Sequence, residues 1–199
     1  MSDQILWFAS RGSGVVSLIL STAVVCLGLL TVARWERPGW PRFLTVELHR
    51  RIALLSIVFL AIHIVTAILD PYTSLGVLAA IVPLASSYRP LAVALGVVSV
   101  DLTLAVIVTS LLRERIGPRL WRAVHWLAYG AWPLALLHGL TSGTDAYAPW
   151  MLGIQGLCLV AVGATLAWRI YAGTPQRALL QAVVESPSIA RPEAPRRDR

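Results

Sequence analysis

The chain has 199 residues, of which 57% are hydrophobic and only 14% are charged, and its mean hydropathy is +0.71. Soluble domains carry roughly 25% charged residues, so this composition excludes an ordinary soluble domain and indicates an integral membrane protein. The net charge is +7 and every basic residue is an arginine, but the arginines lie between apolar runs, which fits membrane topology better than nucleic-acid binding.

Apolar runs predict five membrane-spanning helices. A run of about 20 residues crosses the hydrocarbon core. The first run, 14–33, contains no charged residue and exceeds the apolar region of a signal peptide, so we expect a retained helix. The other four predicted spans are 52–69, 91–112, 123–140 and 150–168.

A shorter apolar run at 75–85 lies between the second and third spans and is interrupted by Pro83 and Ser86. Runs of this length are usually interfacial or re-entrant. The predicted fold class is therefore an all-α integral membrane protein with five transmembrane helices and one short interfacial or re-entrant segment. We expect a membrane domain at 1–172 and a largely disordered cytoplasmic tail at 173–199, which is rich in Pro, Arg and Glu.

The arginines predict the orientation of these spans. With five spans, all arginines except Arg11 and Arg89 fall on one side, in the loops 34–51 and 113–122 and after the fifth span. The positive-inside rule then predicts a multi-pass cell-membrane protein with its N-terminus outside and its C-terminus in the cytoplasm. A sixth span at 75–85 would abolish this bias.

All four histidines lie in or beside the second and fourth spans: His49 and His63 are 14 residues apart, and His125 and His138 are 13 apart. Because both spans start on the cytoplasmic side, residues so spaced lie about 20 Å apart along each helix. Ionisable groups in lipid are usually functional, and neutral imidazole binds heme iron. We predict two bis-histidine hemes, an inner one on His49 and His125 and an outer one on His63 and His138.

Helical periodicity predicts that the two histidines share a face on the second span but not on the fourth. Fourteen residues return a helix to within about 40° of its starting face, which places Ala53, Ser56 and Ala67 beside the first two histidines and leaves room for a macrocycle. Thirteen residues miss by about 140° on an ideal helix. We therefore expect Pro133 to kink the fourth span and re-aim His138.

For several charged residues the sequence allows two interpretations. Asp101, in the middle of the third span, either orients a heme-ligand histidine or is protonated and paired with a neighbouring helix. Arg11 and Arg89, the two outer arginines, either contact a heme propionate or substrate or have no such role. The histidines themselves also have a simpler interpretation, as packing residues bonded to backbone carbonyls.

The histidine segments resemble the ferric-reductase-like transmembrane domain family. This family includes the membrane part of ferric reductases and NADPH oxidases, and the heme-binding membrane subunit of a bacterial methionine sulfoxide reductase system. The similar features are LHR at 48–50, the spacings of 14 and 13, and WRxxHWxxY followed by LHG between 121 and 139. PLASSYRPL before the third span and TSLLRERIG after it are also similar, so the resemblance covers roughly residues 11–170.

The resemblance implies two b-type hemes on His49, His63, His125 and His138, serving as cofactor-binding and metal-binding residues. These hemes would move electrons across the membrane from a cytoplasmic-side donor to an outer-face acceptor, as the membrane component of a reductase. Without a CxxCH motif the hemes would lack thioether bonds. No GxGxxG fingerprint is present, so we expect an oxidoreductase component without its own flavin or NADPH module.

The expected partners are membrane lipid and a separate flavoprotein or quinol that donates electrons, and no nucleic acid. Two alternatives stay open. One is a cytochrome b membrane anchor that exchanges electrons with quinone. The other is a heme-free transporter or structural membrane protein, in which the histidines serve protons or packing.

Overall fold

The computed structural model describes residues 2–33, 35 and 38–185, and side chains as far as residue 171. Across these residues the secondary structure is entirely helical, with no strand. Six α-helices and one short 3₁₀ helix follow one another in the order α1 Ser2–Val32, α2 Arg42–Leu69, the 3₁₀ helix Val77–Ala80, α3 Pro90–Leu111, α4 Arg113–His125, α5 Ala128–Ser142 and α6 Pro149–Glu185.

Four helical segments are long and apolar enough to cross a membrane. They are Gln4–Val32, Arg42–Leu69, Pro90–Leu111 and Pro149–Tyr171, and their mean hydropathies lie between 1.8 and 2.8. They correspond to the first, second, third and fifth predicted spans. The chain is therefore a multi-pass, all-helical membrane protein, as its composition indicates.

The predicted fourth span, 123–140, is not one continuous helix. α4 ends at His125, and α5 begins at Ala128 after a turn. α5 has 15 residues and is about 22 Å long, which is short of the ~30 Å hydrocarbon core. The structure thus provides four spans of sufficient length where the sequence predicted five.

The break lies at Trp126 and Leu127, whereas Pro133 lies inside α5. Through the break, backbone hydrogen bonds reach back three residues, as in Leu127 N–H to Val124 O (2.9 Å) and Gly130 N–H to Leu127 O (2.9 Å). Such 3₁₀ turns wind more tightly than an α-helix. The turn therefore lies six to seven residues before Pro133, and the expectation that Pro133 re-aims His138 stays a prediction.

The apolar segment at 75–85 does not span either. It contains the 3₁₀ helix Val77–Ala80, which contacts α2 and buries Ala79, while Leu78 is exposed. The chain then turns sharply before α3, where Leu84 and Arg89 adopt left-handed backbone conformations. This short surface-lying turn agrees with the predicted interfacial or re-entrant character.

α1 is the packing centre of the described helices. It packs along α2 and also contacts α5 and α6, while α3 packs on α5 and α4. Leu18, Trp132, Leu136 and Cys158, from α1, α5 and α6, form the buried apolar cluster. Within it the Trp132 indole N–H donates to the Thr22 hydroxyl at 2.9 Å, which ties α5 to α1.

The C-terminal helix continues beyond the predicted end of the membrane domain at residue 172. Its backbone runs to Glu185. The rest of the predicted disordered tail, 186–199, lies outside the described residues.

Candidate functional site

The structure brings the four histidines together in two pairs. The ring centroids of His49 and His125 (the inner pair) are 6.4 Å apart, and those of His63 and His138 (the outer pair) are 6.2 Å apart. Imidazole–metal bonds are about 2 Å long and the ring centre lies roughly 1 Å behind the nitrogen, so two imidazoles on one metal have centroids about 6 Å apart. The spacing of both pairs suits two axial ligands of one ion.

Three of the four rings are held by backbone carbonyls of neighbouring helices. The Nδ1 atom of His49 lies 3.0 Å from Val24 O, that of His63 lies 2.8 Å from Ser10 O, and that of His138 lies 2.7 Å from Ala92 O. A carbonyl oxygen only accepts, so Nδ1 donates in each case. The neutral ring then carries its lone pair on Nε2, which is the nitrogen that a metal would bind.

The ring of His138 has one additional neighbour. The Ser142 hydroxyl oxygen lies 2.9 Å from the same Nδ1 atom and serves as a second acceptor. Ser142 is one turn further along α5, so this contact is local, whereas the carbonyl of Ala92 comes from α3. The two contacts together fix the ring from its own helix and from the neighbouring one.

His125 differs from the other three histidines. Its Nδ1 atom is buried and has no hydrogen-bond partner among the described residues. The ring lies instead against Trp121, with centroids 5.1 Å apart and planes tilted by 35°. Trp121 is in turn held by its N–H, which lies 3.3 Å from the Ser110 hydroxyl on α3.

Three glycines leave the space in which the carbonyl-bonded rings lie. A Cβ atom added to Gly14 would be 2.9 Å from the His63 ring, and one added to Gly96 would be 2.7 Å from the His138 ring. The corresponding distance from Gly28 to the His49 ring is 3.4 Å. Sequence reasoning missed these glycines, although the 14-residue separation of Gly14 and Gly28 repeats that of His49 and His63 and was a usable signal.

The ligand count decides which kind of metal group fits. Within the described residues, no group of three or more His, Cys, Asp or Glu side chains could hold a metal ion. Two imidazoles alone do not complete a tetrahedral zinc site. They do suit heme iron, because the porphyrin supplies the equatorial ligands and leaves two axial positions.

Two arginines lie beside the outer pair. Arg11 follows Ser10, the acceptor of the His63 hydrogen bond, and its guanidinium forms an ion pair with Asp145 and stacks 4.7 Å from Trp7. Arg89 donates to the Thr141 carbonyl at 2.9 Å, three residues beyond His138. The charge of Arg11 is thereby balanced by Asp145, and the Arg89 side chain is held beside the turn of chain that follows His138.

Asp101 takes no part in holding a histidine. Its side chain is exposed on α3, and the described Nδ1 hydrogen bonds go to carbonyls and to Ser142. Its predicted role as a carboxylate that orients a ligand is therefore not supported. Trp126 is also turned outward, with 61% of its side chain exposed, whereas Trp132 is buried in the apolar cluster.

Comparison with known families gives one match. A family model described as the ferric reductase like transmembrane component matches residues 13–136. The match includes His49, His63 and His125 and stops two residues before His138. No curated protein and no solved structure matches the chain. Because the matched region covers more than half of its length, this chain belongs to the ferric reductase-like transmembrane family.

Proposed function

We propose that this chain is the membrane component of a reductase and carries electrons across the membrane through two bis-histidine b-type hemes. Membership of the family indicates transmembrane electron transfer in general. The observation that supports the specific proposal is the pairing of all four histidines, with ring centroids 6.4 and 6.2 Å apart at two levels of the bundle.

Each heme would supply an iron that gains and loses one electron, and the histidine pair that holds it would leave no open position for oxygen. The chain's own contribution is to hold the rings. The Nδ1 hydrogen bonds of His49, His63 and His138 fix the tautomer and raise the basicity of the ligand nitrogen, as outer hydrogen bonds do in metal sites.

The distribution of the arginines supports an orientation of the chain in the membrane, and this orientation gives the proposed direction of electron transfer. The inner pair lies near the arginine-rich ends of α2 and α4, and the outer pair lies near Arg11 and Arg89. By the positive-inside rule, we place the N-terminus outside and the C-terminus in the cytoplasm. In this topology α5 and the turn before it complete the return crossing. The inner pair then receives electrons from a cytoplasmic-side donor, and the outer pair passes them to an acceptor outside.

The carboxylates of a heme offer a natural partner for the outer arginines. A guanidinium matches a carboxylate with two parallel hydrogen bonds, and both arginines are adjacent to residues that hold or flank the outer rings. We therefore include Arg11 and Arg89 in the outer site. Arg89 also has a left-handed backbone with φ 40°, a conformation that non-glycine residues keep mainly where surrounding structure requires it.

The test is the heme content of the purified protein after expression with ample heme. The proposal requires a reduced b-type spectrum and two hemes per chain by the pyridine hemochrome assay. Heme-free protein would contradict it and favour a transporter or structural role.

The donor is identified in a second step. Heme reduction is followed after adding a flavoprotein reductase with NADPH, or a quinol, to protein in lipid vesicles. Reduction by the flavoprotein supports the reductase component, and reduction by the quinol alone supports the cytochrome anchor that exchanges electrons with quinone.

A further inference from the structure

The three carbonyls that hold histidine rings occupy equivalent positions in their helices. Each one lies four residues before a glycine: Ser10 before Gly14, Val24 before Gly28, and Ala92 before Gly96. In each case that glycine is also the residue whose added Cβ would meet the same histidine ring. We call each combination of a glycine and the carbonyl four residues earlier a glycine notch.

Helix geometry explains why the two residues act together. The carbonyl at position i−4 accepts the N–H of residue i, and it keeps a second lone pair. The Cα–Cβ bond of a helical residue tilts toward the N-terminus, so a side chain at position i covers the turn that contains this carbonyl. A glycine at position i leaves the second lone pair accessible from the side, and a ring from the neighbouring helix reaches it.

We propose that Gly14, Gly28 and Gly96 are positioning residues that set the tautomer and direction of His63, His49 and His138 before heme binds. The glycine notch receives Nδ1–H, and the Nε2 lone pair then points to the partner histidine. The outer pair has a glycine notch at both histidines. The inner pair has one at His49 and none at His125, whose Nδ1 lacks a partner among the described residues.

General helix packing does not account for these glycines. A Cβ added to Gly12 on α1, or to Gly153, Gly156 or Gly163 on α6, would meet nothing within 4 Å. Small residues in this bundle are therefore not all closely packed. The close approaches to rings are found where a histidine bonds the carbonyl one turn earlier.

The first test concerns the protein without heme and does not depend on the proposed function. In protein labelled with ¹⁵N-histidine and purified without heme, ring nitrogen shifts report which nitrogen carries hydrogen. We expect His49, His63 and His138 as Nδ1–H tautomers, with His125 distributed between both tautomers. Gly14→Ala should release His63, whose Nδ1–H bonds the Ser10 carbonyl, from this state and leave His49 unchanged. A mixed tautomer for all four histidines in the unaltered protein would overturn the proposal.

The second test rests on the proposed function and uses the heme-loaded protein. Loss of outer-shell partners typically lowers metal-site affinity 10–100-fold, so we expect Gly14→Ala and Gly96→Ala to weaken the outer heme by about this factor. A weaker Nδ1 hydrogen bond makes the ligand less basic and should raise the midpoint potential of that heme. Gly12→Ala and Gly153→Ala are the matched controls, with two hemes and unchanged potentials.

Gly28→Ala is included in case the other variants fail to fold. Its added Cβ would lie 3.4 Å from the His49 ring, so the ring needs to move only slightly to accommodate it. It should change the potential and the low-spin electron paramagnetic resonance signal of the inner heme alone. Unchanged affinity, potentials and resonance signals in Gly28→Ala and Gly96→Ala would overturn the role of the glycines. Unaltered protein that binds no heme even when heme is supplied, but shows the three Nδ1–H tautomers, would refute the proposed function and leave the glycine notches in place.

Discussion

The outer and inner histidine pairs use the same side chains at nearly the same spacing but are supported differently. Both outer rings bond carbonyls of neighbouring helices at 2.7–2.8 Å. In the inner pair, His49 has a longer bond of 3.0 Å, and the Nδ1 atom of His125 has no partner in the part of the chain that the structure describes. The difference shows that a matched ligand spacing does not imply a matched ligand rigidity, because rigidity depends on what each ring meets behind it.

The helices that carry the rings explain this difference. His138 lies on α5, which buries Ala131, Trp132 and Leu136. His125 is the last residue of α4, which has no buried residue and is bent at Gly117, where φ is 79°. A ligand at the end of a weakly packed helix can adjust its position as a cofactor enters. The inner level is therefore the more adaptable of the two.

Removing a ligand is the strongest way to break the comparison. His63→Ala should abolish the outer heme and His125→Ala the inner one, so each variant keeps about half of the heme, since an axial bond is lost outright. Heme per chain and the low-spin spectrum measure the result. Tyr147→Phe, at an exposed position in the loop before α6, is the control. If His63→Ala kept two low-spin hemes, the pairing would be wrong.

A second variant weakens the packing of the His125 ring and tests whether the two levels are supported independently. Trp121→Ala removes the surface against which His125 lies and leaves the outer pair untouched. Aromatic contacts are worth about 0.5–1.5 kcal/mol beyond their buried area, which corresponds to a roughly 2–10-fold faster loss of the inner heme.

Transfer of heme to an excess of an apo-heme protein measures both loss rates in one experiment. Trp150→Ala, at the exposed start of α6, is the matched control and should leave both rates unchanged. Equal acceleration at both levels in Trp121→Ala would contradict a local role for Trp121.

The smallest expected effect on heme binding comes from the bond between α5 and α1. Trp132→Phe removes the donor to the buried Thr22 hydroxyl and shortens a buried ring, and should lower the free energy of unfolding by about 1–3 kcal/mol. Thermal unfolding in detergent measures this change, and both hemes should be retained. A selective loss of the outer heme would show that this bond supports one level rather than the whole bundle.

Hydrophobic run length was sufficient to predict four spans, because each of those runs is long, apolar and bounded by Pro, Gly or Arg residues. It did not predict the turn that divides the fourth predicted span. The break falls at Trp126 and Leu127, which carry no helix-breaking signature, while Pro133 is accommodated inside α5. Apolar periodicity therefore gave no signal for this turn.

Residue spacing predicted which histidines lie close together, because the rise per residue gives the height of each histidine along its helix. It did not predict what orients them. The carbonyls of Ser10, Val24 and Ala92 are backbone groups, and their identity leaves no mark on the sequence except the glycine one turn later. The sequence suggested a ligand-orienting role for Asp101 because a charged residue is unusual in an apolar run. In the structure its side chain is exposed on the surface of α3.

α1 supplies a carbonyl to each level, through Ser10 and through Val24. The distance between the two levels is thus set by two spacings, that of the two acceptors on α1 and that of the two histidines on α2. Inserting a single residue between Gly14 and Val24 would rotate one acceptor relative to the other by about 100° and displace it by about 1.5 Å. Only an equal insertion between His49 and His63 would restore the register, so these two stretches can change in length only together.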